Sequence, residues 1–419
     1  MTCGKAAAPE QRELLAHEQH LMRLAHPVAF DLVDRLLRGQ PARRVPGLGV
    51  LVADPTLVRE VLTDRAYRKD GPGSSGALWS GVLGHRTLIG MDGPPHRALR
   101  RALGQLFTPQ AAAQVCERVL GAPLAQLTDD LVCGRSVDVV QVTRLAATSV
   151  IATLVGMADE ETDLPRQRQA AEQLLRVSDG VLGMVRLGTR RLSPAQNRQL
   201  RALFAPVAEL ATAAYDRAVR NGAAGSDSVL ARLPALGISR SQAPALAAVL
   251  LLTGTETMAS AAPRTVAMLH DSGMLAELSA RAPGESRRAA LTPFIAEALR
   301  LATPSPAMLR RATCESRIGP VRVRRGERVL LATWWATRQP GGFQPGRACP
   351  AAVRTLWFGA GPHTCLGSAL ALAELEAITG AVLDAERIVG GVRVVQREGA
   401  RRVLVPSYRR LVLTAGAIA

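Results

Sequence analysis

The chain has 419 residues, of which 47% are hydrophobic, 21% charged and only 3% aromatic. That balance suits a globular core and excludes collagen, a solvated acidic tail and disorder throughout. The basic residues exceed the acidic ones by 17, and all but Lys5 and Lys69 are arginine, yet they are spread along the chain with few aromatics between them, so no nucleic-acid interface is expected.

From Pro9 to Arg38 apolar residues recur at helical spacing, and residues 1–13 lack the apolar stretch of a secretory leader, so a cytoplasmic location is expected. The segment Arg68–Ala77 is rich in glycine, serine and proline and reads as a long loop. Asp92–Pro109 predicts a helix in which His96 and Arg100, at i and i+4, share one face. Two cations on one turn suit carboxylates. Further helices are expected over Ala98–Asp130, Val142–Val155 and Pro194–Arg220, with a break at Gly222–Asp227.

A long apolar helix starts near Ser241 and carries Leu251-Leu-Thr-Gly-Thr-Glu256-Thr257. Its longest uninterrupted apolar stretch, Ala245–Leu252, falls short of the roughly 18 residues that span a bilayer, so no transmembrane helix and no membrane partner are expected. Glycine and β-branched residues are poor choices in a purely structural helix, and their concentration beside an acid and an alcohol marks a ligand-facing turn. Pro263 should kink the helix or loosen its next turn. Glu297 and Arg300, at i and i+3, place carboxylate and guanidinium on one face of another helix. Ile318–Leu331 alternates apolar and polar residues around glycine turns, as do Val392–Val395 and Tyr408–Leu413, which predicts short strands.

Six cysteines are scattered without CxxC pairs, so neither a zinc ribbon nor a disulfide framework is indicated. One of them stands apart. In Phe358-Gly-Ala-Gly-Pro-His363-Thr-Cys365-Leu-Gly367 a glycine-rich loop delivers Cys365 to the start of a helix, where backbone N–H groups favour the thiolate, the form that ligates metal or attacks as a nucleophile. Glycines there let the backbone approach a flat group closely. A structural cysteine in a turn is the plainer alternative, but the pattern Phe-x-x-Gly-x-x-x-Cys-x-Gly arises by chance in on the order of one in a thousand sequences of this composition.

At these residues the chain resembles the cytochrome P-450 family of haem-thiolate monooxygenases, with four ordered motifs from about residue 90 onward. The resemblance implies a mainly α fold with small β-sheets, a single domain over residues 1–419, and haem b (heme b, iron protoporphyrin IX) held between a long central helix and the cysteine loop. It implies Cys365 as the axial metal ligand. Phe358, Gly359, His363 and Gly367 would form the loop against the cofactor, and His96, Arg100 and Arg310 would contact its propionates. Glu256 and Thr257 would relay protons in oxygen activation, a general-acid role. Glu297 and Arg300 would be structural, with Arg347 as a third partner. Candidate pocket walls are Trp79, Leu83, Leu88, Val249, Leu250, Thr253 and Met308, an aliphatic set that suits a lipophilic natural-product intermediate of secondary metabolism. Electrons are expected from a ferredoxin and ferredoxin reductase, since no flavin or iron–sulfur segment is evident. Within the same resemblance, desaturation, oxidative coupling or a non-catalytic haem protein are the alternatives. The sequence departs from the family pattern at Thr253, before Gly254, at Leu372, after the loop, and in the short segment from Arg338 to Arg354.

Overall fold

A computed structural model describes residues 9–71, 74–85, 87–158, 164–184, 192–221 and 228–415. Its helices in chain order are α1 (Pro9–Ala25), α2 (Pro27–Leu37), α3 (Pro55–Thr63), α4 (Ser75–Leu83), α5 (Gly93–Leu103), α6 (Pro109–Val132), α7 (Val139–Val155) and α8 (Leu164–Met184). There follow α9 (Pro194–Leu203), α10 (Ala205–Asn221), α11 (Val229–Arg232), α12 (Ala243–Asp271), α13 (Met274–Ser279), α14 (Glu285–Ala302), α15 (Thr333–Arg338) and α16 (Ser368–Val389). The strands are β1 (Ala42–Val45), β2 (Gly49–Val52), β3 (Tyr67–Arg68), β4 (Val137–Asp138), β5 (Met308–Ala312), β6 (Ser316–Ile318), β7 (Val321–Val323), β8 (Arg328–Leu331), β9 (Val392–Gly399) and β10 (Tyr408–Ala415). The expected class, mainly helical with small sheets, is what the chain forms.

Local chemistry sets the boundaries. Thr108 caps α6 by accepting from the Ala111 N–H at 3.3 Å, with Pro109 pre-set at the first helical position. Asp138 caps α7, and Gly156 closes it in the left-handed conformation at φ 92°. The strands assemble into a five-stranded sheet of order β1-β2-β8-β5-β3, a three-stranded sheet β4-β10-β9 and the hairpin β6-β7.

Helix α12 is buried along most of its length and packs on α7, α10, α14 and α16. Among the described residues it is the one helix long and apolar enough to cross a bilayer, but 72% of its most apolar window is buried inside the protein. It therefore serves as the core helix. Helical conformation continues through Pro263. The next residue, the wholly buried Arg264, pairs with Glu18 of α1 and donates to Ser260 Oγ at 3.1 Å, so the neighbourhood of the proline is tied down by side chains. A buried charge of this kind needs its partner.

Two expectations change. The segment Arg68–Ala77 is only partly loop, because α4 starts at Ser75. Strands β1 and β2, joined through Gly47 at φ 73°, form in a stretch for which no strand was expected, and β2 pairs in parallel with the remote β8. The break at 222–227 lies outside the described residues, as does Cys3.

Candidate cofactor site

The loop bearing Cys365 is closed on itself by the Cys365 N–H, which donates to the Phe358 carbonyl at 2.8 Å. Gly361 sits at φ 66°, and a Cβ there would lie 2.6 Å from the Leu62 carbonyl oxygen, so this glycine is required by the close approach of the loop to the end of α3. Gly367 differs. A Cβ on it would meet nothing nearer than the Phe107 ring at 4.0 Å, yet Gly367 lines an internal cavity of about 700 Å³, as do Phe358, His363 and Cys365. The Cys365 side chain is exposed, and its exposed surface belongs to that cavity wall. Burial pushes the thiol up, against the Gly367 backbone N–H and the charges of Arg100 and Lys69, which pull it down. Helix-start stabilisation, expected to dominate, is outweighed, and a bound metal cation is what would bring such a thiol to thiolate.

One end of the cavity collects positive charge. His96 and Arg100 of α5, Arg310 of β5, Lys69 and His363 all line it. Asp92 is the carboxylate among them: its Oδ1 lies 2.8 Å from His363 Nε2, and its Oδ2 accepts from the Lys69 and Asp70 N–H groups at 2.7 and 3.0 Å. These donors hold Asp92 down to about 2 although burial opposes them. The His363 ring also lies against His96, with centroids 4.2 Å apart and the planes tilted by 33°. Burial, helped by His363 and Arg100, lowers His96 to about 4, so it is a neutral imidazole. Burial and then Arg310 bring Lys69 down to about 7, and burial brings Arg310 to about 10. Three crowded cations with one carboxylate between them call for an anionic ligand. Lys69 and Asp92 were not foreseen; the signal available was that Lys69 is one of only two lysines in the sequence.

On α12, Thr257 lines the cavity, and its hydroxyl donates to the Thr253 carbonyl one turn earlier at 2.7 Å. The Thr253 hydroxyl is likewise occupied, donating to Val249 O at 2.7 Å. The reason for Gly254 is partly packing, since a Cβ there would lie 2.5 Å from Ile151 Cδ1 of α7. Glu256 is not a cavity-lining residue. Its Oε1 is 3.5 Å from Arg144 Nη2 of α7, which also holds Asp179 of α8 at 2.5 Å. Burial pushes Glu256 up to about 7, with Arg144 opposing.

This arrangement of a cysteine loop, a cationic end and an acid–alcohol turn can be set against known proteins. The family model described as Cytochrome P450 matches residues 287–387, which include the buried Glu297–Arg300 pair and Cys365. Over this region the chain is similar to the cytochrome P450 family. It is 28% identical to pentalenic acid synthase of Streptomyces avermitilis over 374 residues, covering 85% of this chain and 86% of that protein. It is 29% identical to the cytochrome P-450 monooxygenase DoxA of Streptomyces sp. (strain C5) over 358 residues, covering 79% and 80%. Its fold matches the crystal structure of P450BioI in complex with an acyl carrier protein ligated to hexadec-9Z-enoic acid, with a TM-score of 0.77 at 20% identity, covering 94% of this chain and 100% of that one. The activity of the family is monooxygenation and its cofactor is haem.

The residues of this chain fit that group. An apolar body bearing two carboxylates matches a cavity whose cations cluster at one end, and the side-chain-free Gly367 leaves backbone open to a flat ligand. Away from the cavity, Glu297 and Arg300 form a buried two-bond pair at 2.7 and 2.7 Å. Arg300 also donates to the carbonyls of Thr337, Gly341 and Gly342, and Arg347 Nε lies 3.7 Å from Glu297 Oε1. The cavity walls include Trp79, Leu88, Val249, Leu250, Thr253 and Met308. Leu83 is not among them, because at the end of α4 it packs against the apolar core instead.

Proposed function

We propose that this chain is a cytochrome P450 that binds haem b through Cys365 and inserts one oxygen atom of O2 into a lipophilic intermediate of secondary metabolism. The single observation that carries this reading is the one cavity shared by Cys365, Thr257 and a cluster of cations at one end. Bound there, haem would supply oxygen activation, because thiolate ligation favours O–O cleavage. Lys69, Arg100 and Arg310 would neutralise the propionates through charge-assisted hydrogen bonds, with neutral His96 and the Asp92-held His363 beside them. Phe358, Gly359 and Gly367 would shape the loop around the ligand.

Thr257, whose proton is committed to the Thr253 carbonyl, offers oxygen lone pairs to a water in the cavity and can exchange its proton along that chain. Glu256 would be the proton source behind it, reached from the surface through Arg144 and Asp179. The aliphatic walls exclude bulk water and favour an apolar substrate. The names of the two Streptomyces relatives support a natural-product substrate.

We assign the electron supply to a separate ferredoxin and ferredoxin reductase. Arg97 and Arg101, exposed on the helix that also carries Arg100, offer such an acidic partner a basic surface. The reaction would take place in the cytoplasm. The apolar core that extends from α1 to β10 supports one catalytic unit over the whole chain. The test is reconstitution with a bacterial ferredoxin pair and 18O2 across a panel of terpenoid and polyketide substrates. Incorporation of one 18O atom into product is expected, whereas dehydrogenated or coupled products without 18O would replace monooxygenation by desaturation or coupling.

A further inference from the structure

Beyond Gly367, α16 turns a continuous face to the cavity: Gly367, Leu370, Ala371 and Glu374 all line it, the i, i+3, i+4, i+7 spacing of one side of a helix. Three of these are apolar or side-chain-free. The fourth is a carboxyl group that is 1% exposed, with an Oε2 that has no hydrogen-bond partner. Burial alone pushes Glu374 up to about 8. From α6, the titratable neighbour is Cys116, whose thiol is pushed up to about 12 by burial and by Glu374. From α12, α13, α14, β9 and the turn Gly104–Phe107, which also pack on α16, no charged group acts on Glu374. An uncompensated buried acid is costly and is replaced by an apolar residue without loss of packing, so its place in a cofactor wall needs a reason.

Resting on the reading that Cys365 holds haem in this cavity, we propose that Glu374 couples one-electron reduction of the iron to uptake of one proton. The electron comes from the ferredoxin-class donor, or from dithionite in vitro, and enters the iron. The proton comes from solvent and converts the Glu374 carboxylate to the neutral acid. No other bond changes, and the net charge of the cavity is unaltered. The physical cause is linkage: negative charge added to a low-dielectric cavity raises the proton affinity of a carboxylate in its wall, and by the same amount protonation eases reduction. Glu374 is a positioning residue in this sense, acting on the cofactor through charge.

The experiment is a spectroscopic redox titration of the haem-loaded protein on both sides of pH ~8. In the wild type the potential should be flat below about pH 8, where Glu374 is protonated in both oxidation states. Above it, the reduction equilibrium should weaken up to tenfold per pH unit, about 59 mV for a one-electron couple. Both Glu374→Gln and Glu374→Leu should abolish that slope. The leucine variant removes an unpaired buried acid and so should fold even where the glutamine variant does not. Slope that remains in both variants belongs to Lys69, His96, His363 or the propionates. A wild-type potential without slope above pH ~8, or a slope unchanged in both variants while the carbon monoxide spectrum still reports a thiolate ligand, overturns the inference. A wild type that takes up no haem fails the underlying reading instead, and the inference with it.

Discussion

Glu256 and Thr257 are adjacent in sequence, but only Thr257 is part of the cavity wall, while Glu256 lies beside Arg144. That division fits a proton store behind a proton relay. Because burial pushes Glu256 up to about 7, its donor form is present below that pH and is lost as pH rises through it. Product formation should therefore fall above pH ~7 in the wild type. Glu256→Gln should slow turnover by about tenfold or more and remove this limb from the pH profile. Lys69 belongs to the same scale. Burial first, and then the neighbouring cations, bring it down to about 7, and propionates would restore its charge. Lys69→Gln should release haem to an acceptor globin about tenfold faster, the loss of one charge-assisted hydrogen bond; an unchanged release rate would remove Lys69 from the cofactor site.

At the level of elements, α7, α8 and α12 meet at the Glu256–Arg144–Asp179 series. Arg144 holds Glu256 down against burial, so Arg144→Gln should move the falling limb of the pH profile to higher pH, where Glu256→Gln deletes it. A limb that stays in place in the arginine variant would separate Arg144 from proton delivery. Helix α14 is fixed to the segment after α15 by Arg300, which is wholly buried and bound to Glu297 and to carbonyls of Thr337, Gly341 and Gly342. Glu297→Ala leaves this guanidinium without its anion and should cost about 3–5 kcal/mol in urea unfolding followed by circular dichroism. The sequence signalled the pair only through its i, i+3 spacing, which recurs elsewhere in this arginine-rich chain. What distinguishes it is the carbonyl cage, supplied by residues about 40 positions away and invisible to local patterns.

Across the whole molecule, the parts legible in the sequence are those whose chemistry is local. The glycine-rich approach to Cys365, the shared face of His96 and Arg100 and the apolar length of α12 each announce themselves within one stretch of chain. Lys69, Asp92 and Arg144 do not, since each gains its role from partners brought in by the fold. Short β1 and β2 were missed for a related reason. Strand β1 is Ala-Arg-Arg-Val, which carries little alternation, and β2 is stabilised by parallel pairing with β8, far along the chain. The excess of 17 positive charges also acts globally. Reduction by an acidic ferredoxin should slow as ionic strength rises, and more steeply in the wild type than in an Arg97→Gln/Arg101→Gln variant. Equal salt dependence would place the docking surface elsewhere.

The proposed function stands on ligation of the haem iron by Cys365 as thiolate. Its most direct measurement is the absorption spectrum of the purified protein, reduced with dithionite under carbon monoxide, for wild type and Cys365→Ala. A Soret band strongly red-shifted from that of histidine-ligated globins, and lost in the variant, is the predicted result. A wild type that takes up no haem, or a variant whose spectrum matches the wild type, would contradict it.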